Sequence, residues 1–235
     1  MNLSSSLTYL KVLLSRYRHT SANKRELTYQ MADVSSSFTQ FDIESLRVIQ
    51  SAPVWMSRAE RLLLYTLTFT LRPTRYLEIG TLKGGSALIV CAAMDALGSD
   101  GRIVCIDPKP QIEPDIWEKL KHRTTLITGF SPQAVPEAVD NVGGTFDLVL
   151  IDGDHSEAGA LRDAFGVVGY VSPSAYILFH DSYYSEVMTA VDRFCASNTR
   201  QLVDFGSLTR EVTLQTTPDN KTVHWGGLRM VQMRR

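Results

Sequence analysis

The sequence predicts an α/β domain on a mostly parallel sheet with helices on both faces, preceded by a helical extension. Three observations carry that prediction. From residue 76 onward, short continuous apolar runs alternate with helical stretches, as expected of strands buried on both faces and joined by crossover helices. The first run passes into a glycine-rich turn, Glu78-Ile79-Gly80-Thr81-Leu82-Lys83-Gly84-Gly85-Ser86, that opens a helix. Later runs end in Asp107, in Asp152 and in the pair His180-Asp181.

The extension comes first. Leu3, Leu7, Leu10, Leu14 and Tyr17 recur at helical spacing, followed by Arg16, Arg18, Lys24 and Arg25 at the end and beyond. This amphipathic helix is expected to pack on the domain or on a second subunit, with a membrane surface as the alternative. Asp42 is placed to cap a short helix carrying Ile43, Leu46 and Ile49, which Pro53 ends. A helix over 57–71 has Leu64, Leu67 and Leu71 along one face and stops before Pro73. The division expected is 1–55 as extension and 56–235 as domain.

Within the domain, strands are expected at 76–79, 102–106, 125–127, 146–151 and 175–179. Helices are expected at 85–97, 114–121, 136–142, 157–168 and 185–196. At the C-terminus, 212–215 and 228–232 are expected as an antiparallel hairpin around a polar loop at 217–221. Trp225-Gly226-Gly227 precedes the last strand, where it is a candidate to fold over the site.

Composition sets bounds on function. Hydrophobic residues are 44% and charged residues 21%, enough for an ordinary core. A net charge of -1 offers no global field for nucleic acid or an anionic membrane, which favours a small-molecule partner. Cys91, Cys105 and Cys195 form no CxxC pair, so neither a zinc ribbon nor a disulfide framework is expected, and a reducing, cytoplasmic setting is. No run reaches the ~18–20 apolar residues that span a bilayer. Serine-hydrolase, zinc-protease and P-loop signatures are absent.

The glycines at 80, 84 and 85 do not follow the G-x-G-x-x-G spacing of a dinucleotide turn. Glu78 is badly placed beside a pyrophosphate and well placed for a cationic amino-acid headgroup. Asp107, ending the second strand, suits the hydroxyls of a ribose. On parallel strands Asp152, His180 and Asp181 reach the same rim. Oxygen ligands with open positions suit Mg²⁺ or Mn²⁺, and the histidine leaves Fe²⁺, Zn²⁺ or Ni²⁺ open.

The E-x-G-x-x-x-G-x-S turn followed by a strand ending in Asp resembles the class I S-adenosylmethionine (SAM)-dependent methyltransferases. The resemblance implies a Rossmann-like, doubly wound, seven-stranded sheet in the order 3-2-1-4-5-7-6 with the last strand antiparallel. It implies SAM as cofactor, held by Glu78, Gly80, Thr81, Gly84, Ser86, Asp107, Ser131 and Asp152, with Gly129-Phe130-Ser131 bordering the adenine. The strings I-D-G-D-H-S-E and F-H-D-S resemble a metal-dependent O-methyltransferase branch, methyltransferase family 24. That branch includes catechol-type, macrolide-sugar and cephalosporin-hydroxylase-like proteins. It implies Asp152, Asp181 and His180 as metal ligands, Mg²⁺ first, and His155 with Asp152 as the catalytic pair. Methyl transfer to a hydroxyl of a sugar, polyketide or phenol is expected, by a homo-oligomer. The alternatives are an iron-dependent oxygenase using His180, Asp152 and Asp181, or a protein that binds SAM or a nucleotide without turnover.

Overall fold

The computed structural model describes residues 43–198 and 201–234. The amphipathic segment, the cap at Asp42 and most of the expected extension lie outside the described residues. A 3₁₀ turn, Ile43–Leu46, leads into helix α1 (Arg47–Ser51). Helix α2 (Arg58–Leu71) follows. Its start is fixed by a capping box: the Ser57 side chain accepts from the Glu60 amide, and the Glu60 side chain accepts from the Ser57 amide. It ends at Arg72 in the left-handed conformation, just before Pro73.

Strand β1 (Arg75–Ile79) feeds α3 (Gly85–Ala96), and β2 (Arg102–Asp107) feeds α4 (Pro114–Leu120). Next come β3 (Thr124–Thr128), α5 (Val135–Val142), β4 (Phe146–Ile151) and α6 (Glu157–Val168). Strand β5 (Val171–Phe179), α7 (Ser185–Ser197) and β6 (Leu202–Ser207) follow, then β7 (Thr213–Thr216), β8 (Thr222–Trp225) and β9 (Arg229–Met233).

The main sheet has the order β3-β2-β1-β4-β5-β9-β6. Strands β1 to β5 are parallel, while β9 runs antiparallel to both β5 and β6. This is the Rossmann-like order expected. Alternate strand residues enter opposite cores. Tyr76, Ile103, Cys105, Leu148 and Leu150 pack with α2 and α3, whereas Leu77, Val104, Ile106, Val149 and Ile151 pack with α5, α6 and α7. Leu46, Val48 and Ile49 of the α1 region pack on the first of these cores.

The C-terminal hairpin needs correction. Residues near 212–215 and 228–232 do form strands, but they do not pair with each other. Strand β7 pairs with β8 in a separate two-stranded ribbon, while β9 inserts between β5 and β6. Strands β6 and β8 escaped notice because both are largely solvent-facing and carry no continuous apolar run. Among the described residues, no helix is long and apolar enough to cross a membrane.

Candidate active site

The carboxyl ends of β1 to β5 open on one cavity of about 510 Å³. In a doubly wound sheet this is where ligands bind, at the crevice where strand order reverses beside β1. Gly80, Thr81, Ser86, Asp107, Ser131, Asp152, His155, His180 and Asp181 all line it.

The β1–α3 turn is held by its backbone. The Gly80 amide donates to Ile106 O at 2.9 Å, and the Asp152 amide donates to Ile79 O at 2.8 Å. Gly80 has φ +86°, and a Cβ there would stand 2.0 Å from Asp152 O. Only glycine fits, because the β4 end crosses so closely. Asp107 ends β2 with each carboxylate oxygen accepting one amide at 2.7 Å, Oδ2 from Leu82 and Oδ1 from Lys109. A carboxylate oxygen can accept more than one bond, so both retain capacity for a ligand's hydroxyls.

Glu78 is placed differently from the expectation. Its side chain is wholly buried behind the turn and does not line the cavity. It accepts from the hydroxyls of Tyr76 (2.8 Å), Thr81 (2.7 Å) and Ser86 (2.9 Å). Burial pushes its pKa up to about 7, against the lowering effect of these hydroxyls. Glu78 therefore braces the turn from behind, with its side chain outside the cavity lining. Gly84 also lies outside the cavity, as the N-cap of α3 against Leu120 and Ile112.

Across the cavity, β4 and β5 deliver an alternating ring of nitrogens and oxygens. His180 Nδ1 lies 3.0 Å from Asp152 Oδ1 and 3.4 Å from Asp181 Oδ2. His155 Nε2 lies 3.0 Å from Asp181 Oδ2 and 3.4 Å from Asp152 Oδ1. His180 is buried at 4% exposure, whereas His155 reaches solvent at 37%. Burial alone would raise both carboxyls; the charge and hydrogen bonds of the two imidazoles outweigh it and hold Asp152 and Asp181 below their usual values. In return, hydrogen bonds to Asp152 and Asp181 lift His155 to about 9. Burial opposes ionisation of His180, but the surrounding carboxylates win and raise it well above 6.5.

Sequence reasoning missed what stands behind this ring. Glu60, on α2 and 1% exposed, lies 3.6 Å from His180 Nε2. It accepts from the amides of Ser57 (2.6 Å) and Gly227. Burial would raise its carboxyl, yet His180 holds it below the usual value. The neighbouring Gly226 amide donates to Asp181 Oδ1 at 2.6 Å. Gly227 has φ +91°, and a Cβ there would meet the Tyr183 ring at 2.4 Å. The two glycines thus tie the end of the β7–β8 ribbon to the charged ring. Trp225, just before them, stacks on Tyr184 at 4.5 Å and meets His155 edge-on at 5.6 Å. The helix start at residue 57 was expected from sequence; the Glu60 carboxylate behind the ring was not.

Three ligand atoms, from Asp152, His155 and Asp181, lie within 4.8 Å of one another, close enough to share a cation. His180 does not join that set, since Nδ1 is spent on the two carboxylates and Nε2 faces Glu60. A second such group, Cys91, Asp95 and His122, lies away from the cavity. There Arg123 already neutralises Asp95 through Nε at 3.0 Å and is itself fixed to Ser99 O and Gly101 O.

Sheet order, glycine turn and strand-end acids define the class I methyltransferase fold. Residues 77–182 match a family model described as a methyltransferase domain. No curated protein matches the chain. Solved structures with the same fold include the O-methyltransferase TomG from Streptomyces achromogenes, in complex with SAM. It is 16% identical, with a TM-score of 0.57 and all of both chains covered. An O-methyltransferase from Bacillus cereus in complex with SAH (S-adenosylhomocysteine) is 17% identical. Its TM-score is 0.58, over 85% of this chain and 96% of that one. A precorrin-6y C5,15-methyltransferase from Geobacter metallireducens is 14% identical, TM-score 0.56, over 79% and 92%. At such identities the likeness is one of fold.

Proposed function

We propose that the chain transfers a methyl group from SAM to a hydroxyl oxygen of a small molecule. The observation that carries this reading is the sharing of one cavity by the glycine turn with Asp107 and by the group Asp152, His155 and Asp181. The SAM and SAH held by the two solved O-methyltransferases support it.

SAM supplies a methyl group on a cationic sulfur, so the enzyme's work is positioning and proton handling rather than covalent catalysis. The turn from Gly80 to Ser86 brings backbone close to the methionine portion, and the open lone pairs of Asp107 take the ribose hydroxyls. Asp152 and Asp181 are hard oxygen donors that fit a divalent cation such as Mg²⁺, which would favour the ionised form of a bound hydroxyl. His180, backed by Glu60, orients these two carboxylates. Asp152 and Asp181 would hold such a cation, which would weaken their pull on His155; its Nε2, left out of the ligand set, would then take the acceptor's proton. Trp225 closes the outer side of His155.

Calorimetric titration with SAM and SAH, with Mg²⁺ and with a chelator, tests the reading. Binding of both, and methyl transfer to some member of a hydroxyl-acceptor panel, is expected. No binding at saturating ligand overturns it. Transfer unaffected by chelation and by Asp152→Ala removes the metal part alone.

A further inference from the structure

The β7–β8 ribbon stands apart from the seven-stranded sheet and is inserted in the chain between that sheet's last two strands, β6 and β9. A two-stranded hairpin is barely stable by itself in water. This one is held at its base through Trp225. The indole stacks on the Tyr184 ring, with centroids 4.5 Å apart and 18° between planes. Its Nε1 donates to Gln215 Oε1 of the neighbouring strand at 2.8 Å. The residue pairs in register with Thr213. Gly226 and Gly227, next in the chain, are tied to Asp181 and Glu60. The ring that this fixed indole meets is His155, at 5.6 Å and 80° between planes.

His155 lacks the restraint that an indole can supply. Its backbone is pinned on the C-terminal side. Asp154 Oδ1 accepts from the Ser156 amide at 3.0 Å, and Ser156 Oγ accepts from the Gly159 amide at 3.1 Å to start α6. The imidazole itself is held at one atom. Nε2 faces Asp152 and Asp181, while among the described residues Nδ1 has no hydrogen-bond partner. A histidine base is ordinarily oriented by a third group bonded to its other nitrogen. Once a cation weakens the hold of the two carboxylates, the aromatic contact is the restraint that remains.

We propose that Trp225 is a positioning residue for His155: its edge-to-face contact sets the plane of the imidazole so that Nε2 points at the acceptor oxygen. Such ring pairs favour particular mutual orientations through their quadrupoles. A base works only when it lies within hydrogen-bond reach and in line with the proton it takes. Neither Trp225 nor Gln215 lines the cavity, so the indole acts through the imidazole and not on the cofactor.

This role rests on the methyl transfer proposed above. Initial rates are measured on the full chain with SAM and the acceptor methylated in the hydroxyl panel, beside calorimetric binding of SAH. Trp225→Ala is expected to lower kcat about tenfold, with SAH affinity and KM for SAM within about twofold. Trp225→Leu, which keeps apolar bulk for the ribbon, is expected to lose as much, so that a fall in rate is read apart from a fall in folding. Trp225→Phe keeps a ring beside His155 and is expected to stay within about threefold of the unaltered protein. In a His155→Ala background, Trp225→Ala is expected to cost nothing further, because both changes act through one group. The imidazole is also followed by NMR. Its Cε1–H resonance, assigned by its loss in His155→Ala, is expected to sit away from the free-histidine position beside the indole and to return toward it in Trp225→Ala.

Equal losses from Trp225→Ala with and without His155 overturn the inference and leave the methyl-transfer reading intact. So do full activity in Trp225→Leu and an unmoved resonance in a folded Trp225→Ala. Absence of transfer by the unaltered protein across the whole panel overturns both.

Discussion

Residues 79 to 86, Gly84 excepted, line the glycine-turn side of the cavity from one stretch of chain, and Asp107 joins them from the end of β2. The opposite side gathers Glu60 from α2, Asp152 and His155 from the end of β4, His180 and Asp181 from the end of β5, and Gly226-Gly227 from before β9. The first is held by backbone hydrogen bonds and by a position that admits no side chain. The second is held by alternating charges whose partners are far apart in sequence. Local, steric construction tolerates almost no change at its glycine but titrates little. Long-range, electrostatic construction tolerates shape-preserving change and depends on every charge being answered.

The largest effect should therefore come from a single methyl group on the local side. Gly80→Ala places Cβ against the Asp152 carbonyl at a φ that L residues avoid. A loss of roughly 2–6 kcal/mol in unfolding free energy by urea titration is expected. A variant as stable as the parent would show that the β1 and β4 ends can part freely, and the contrast drawn above would fail.

On the charged side, His155→Ala should leave the fold and SAH affinity nearly unchanged, since the ring is exposed at one edge. Methyl transfer should fall by about a hundredfold or more, the usual contribution of a positioned base. A drop in SAH affinity equal to the drop in rate would instead make His155 a binding residue. Glu60→Gln removes a charge without removing bulk. It leaves His180 without one of its three carboxylate neighbours and weakens the hold on Gly227. A loss of about 1–3 kcal/mol in stability is expected, with methyl transfer falling alongside. Unchanged stability would mean that α2 is not part of the site.

The same contrast explains what could be read from sequence. Strands β1 to β5 were legible because burial on both faces leaves continuous apolar runs, and the turn was legible because its glycines, Glu78 and Asp107 follow one another in order. Asp152, His155 and Asp181 were legible as strand-end residues on a common rim. Glu60 and its tie to Gly227 were not, because their partners lie a hundred or more residues away and no spacing encodes that. Glu78 stands back from the rim for a related reason. Its place at the strand end was clear, but alternation sends its side chain to the α3 face, where three hydroxyls enclose it. The two missed strands, β6 and β8, face solvent and so lack the apolar run that identified the others.

Glu78 also supplies a specific test, because its wholly buried carboxyl braces a side otherwise built largely from backbone. Its folded pKa of about 7 lies above the ordinary 4.5. The folded chain therefore keeps a proton that the unfolded chain releases between these values. The contribution is fully present below pH 4.5 and is lost as pH rises through 7. Each unit of that window is worth about 1.4 kcal/mol. Glu78→Gln keeps an acceptor for the three hydroxyls and removes the titration. Unfolding free energies measured from pH 5 to pH 8 should then fall for the parent relative to the variant, with the gap widening up to about pH 7 and flat beyond it. Parallel curves would mean that the three hydroxyls stabilise the carboxylate as well as water does. Glu78 would then be ionised throughout, and the turn would carry a fixed negative charge behind the sulfonium instead of a neutral, hydrogen-bonded brace.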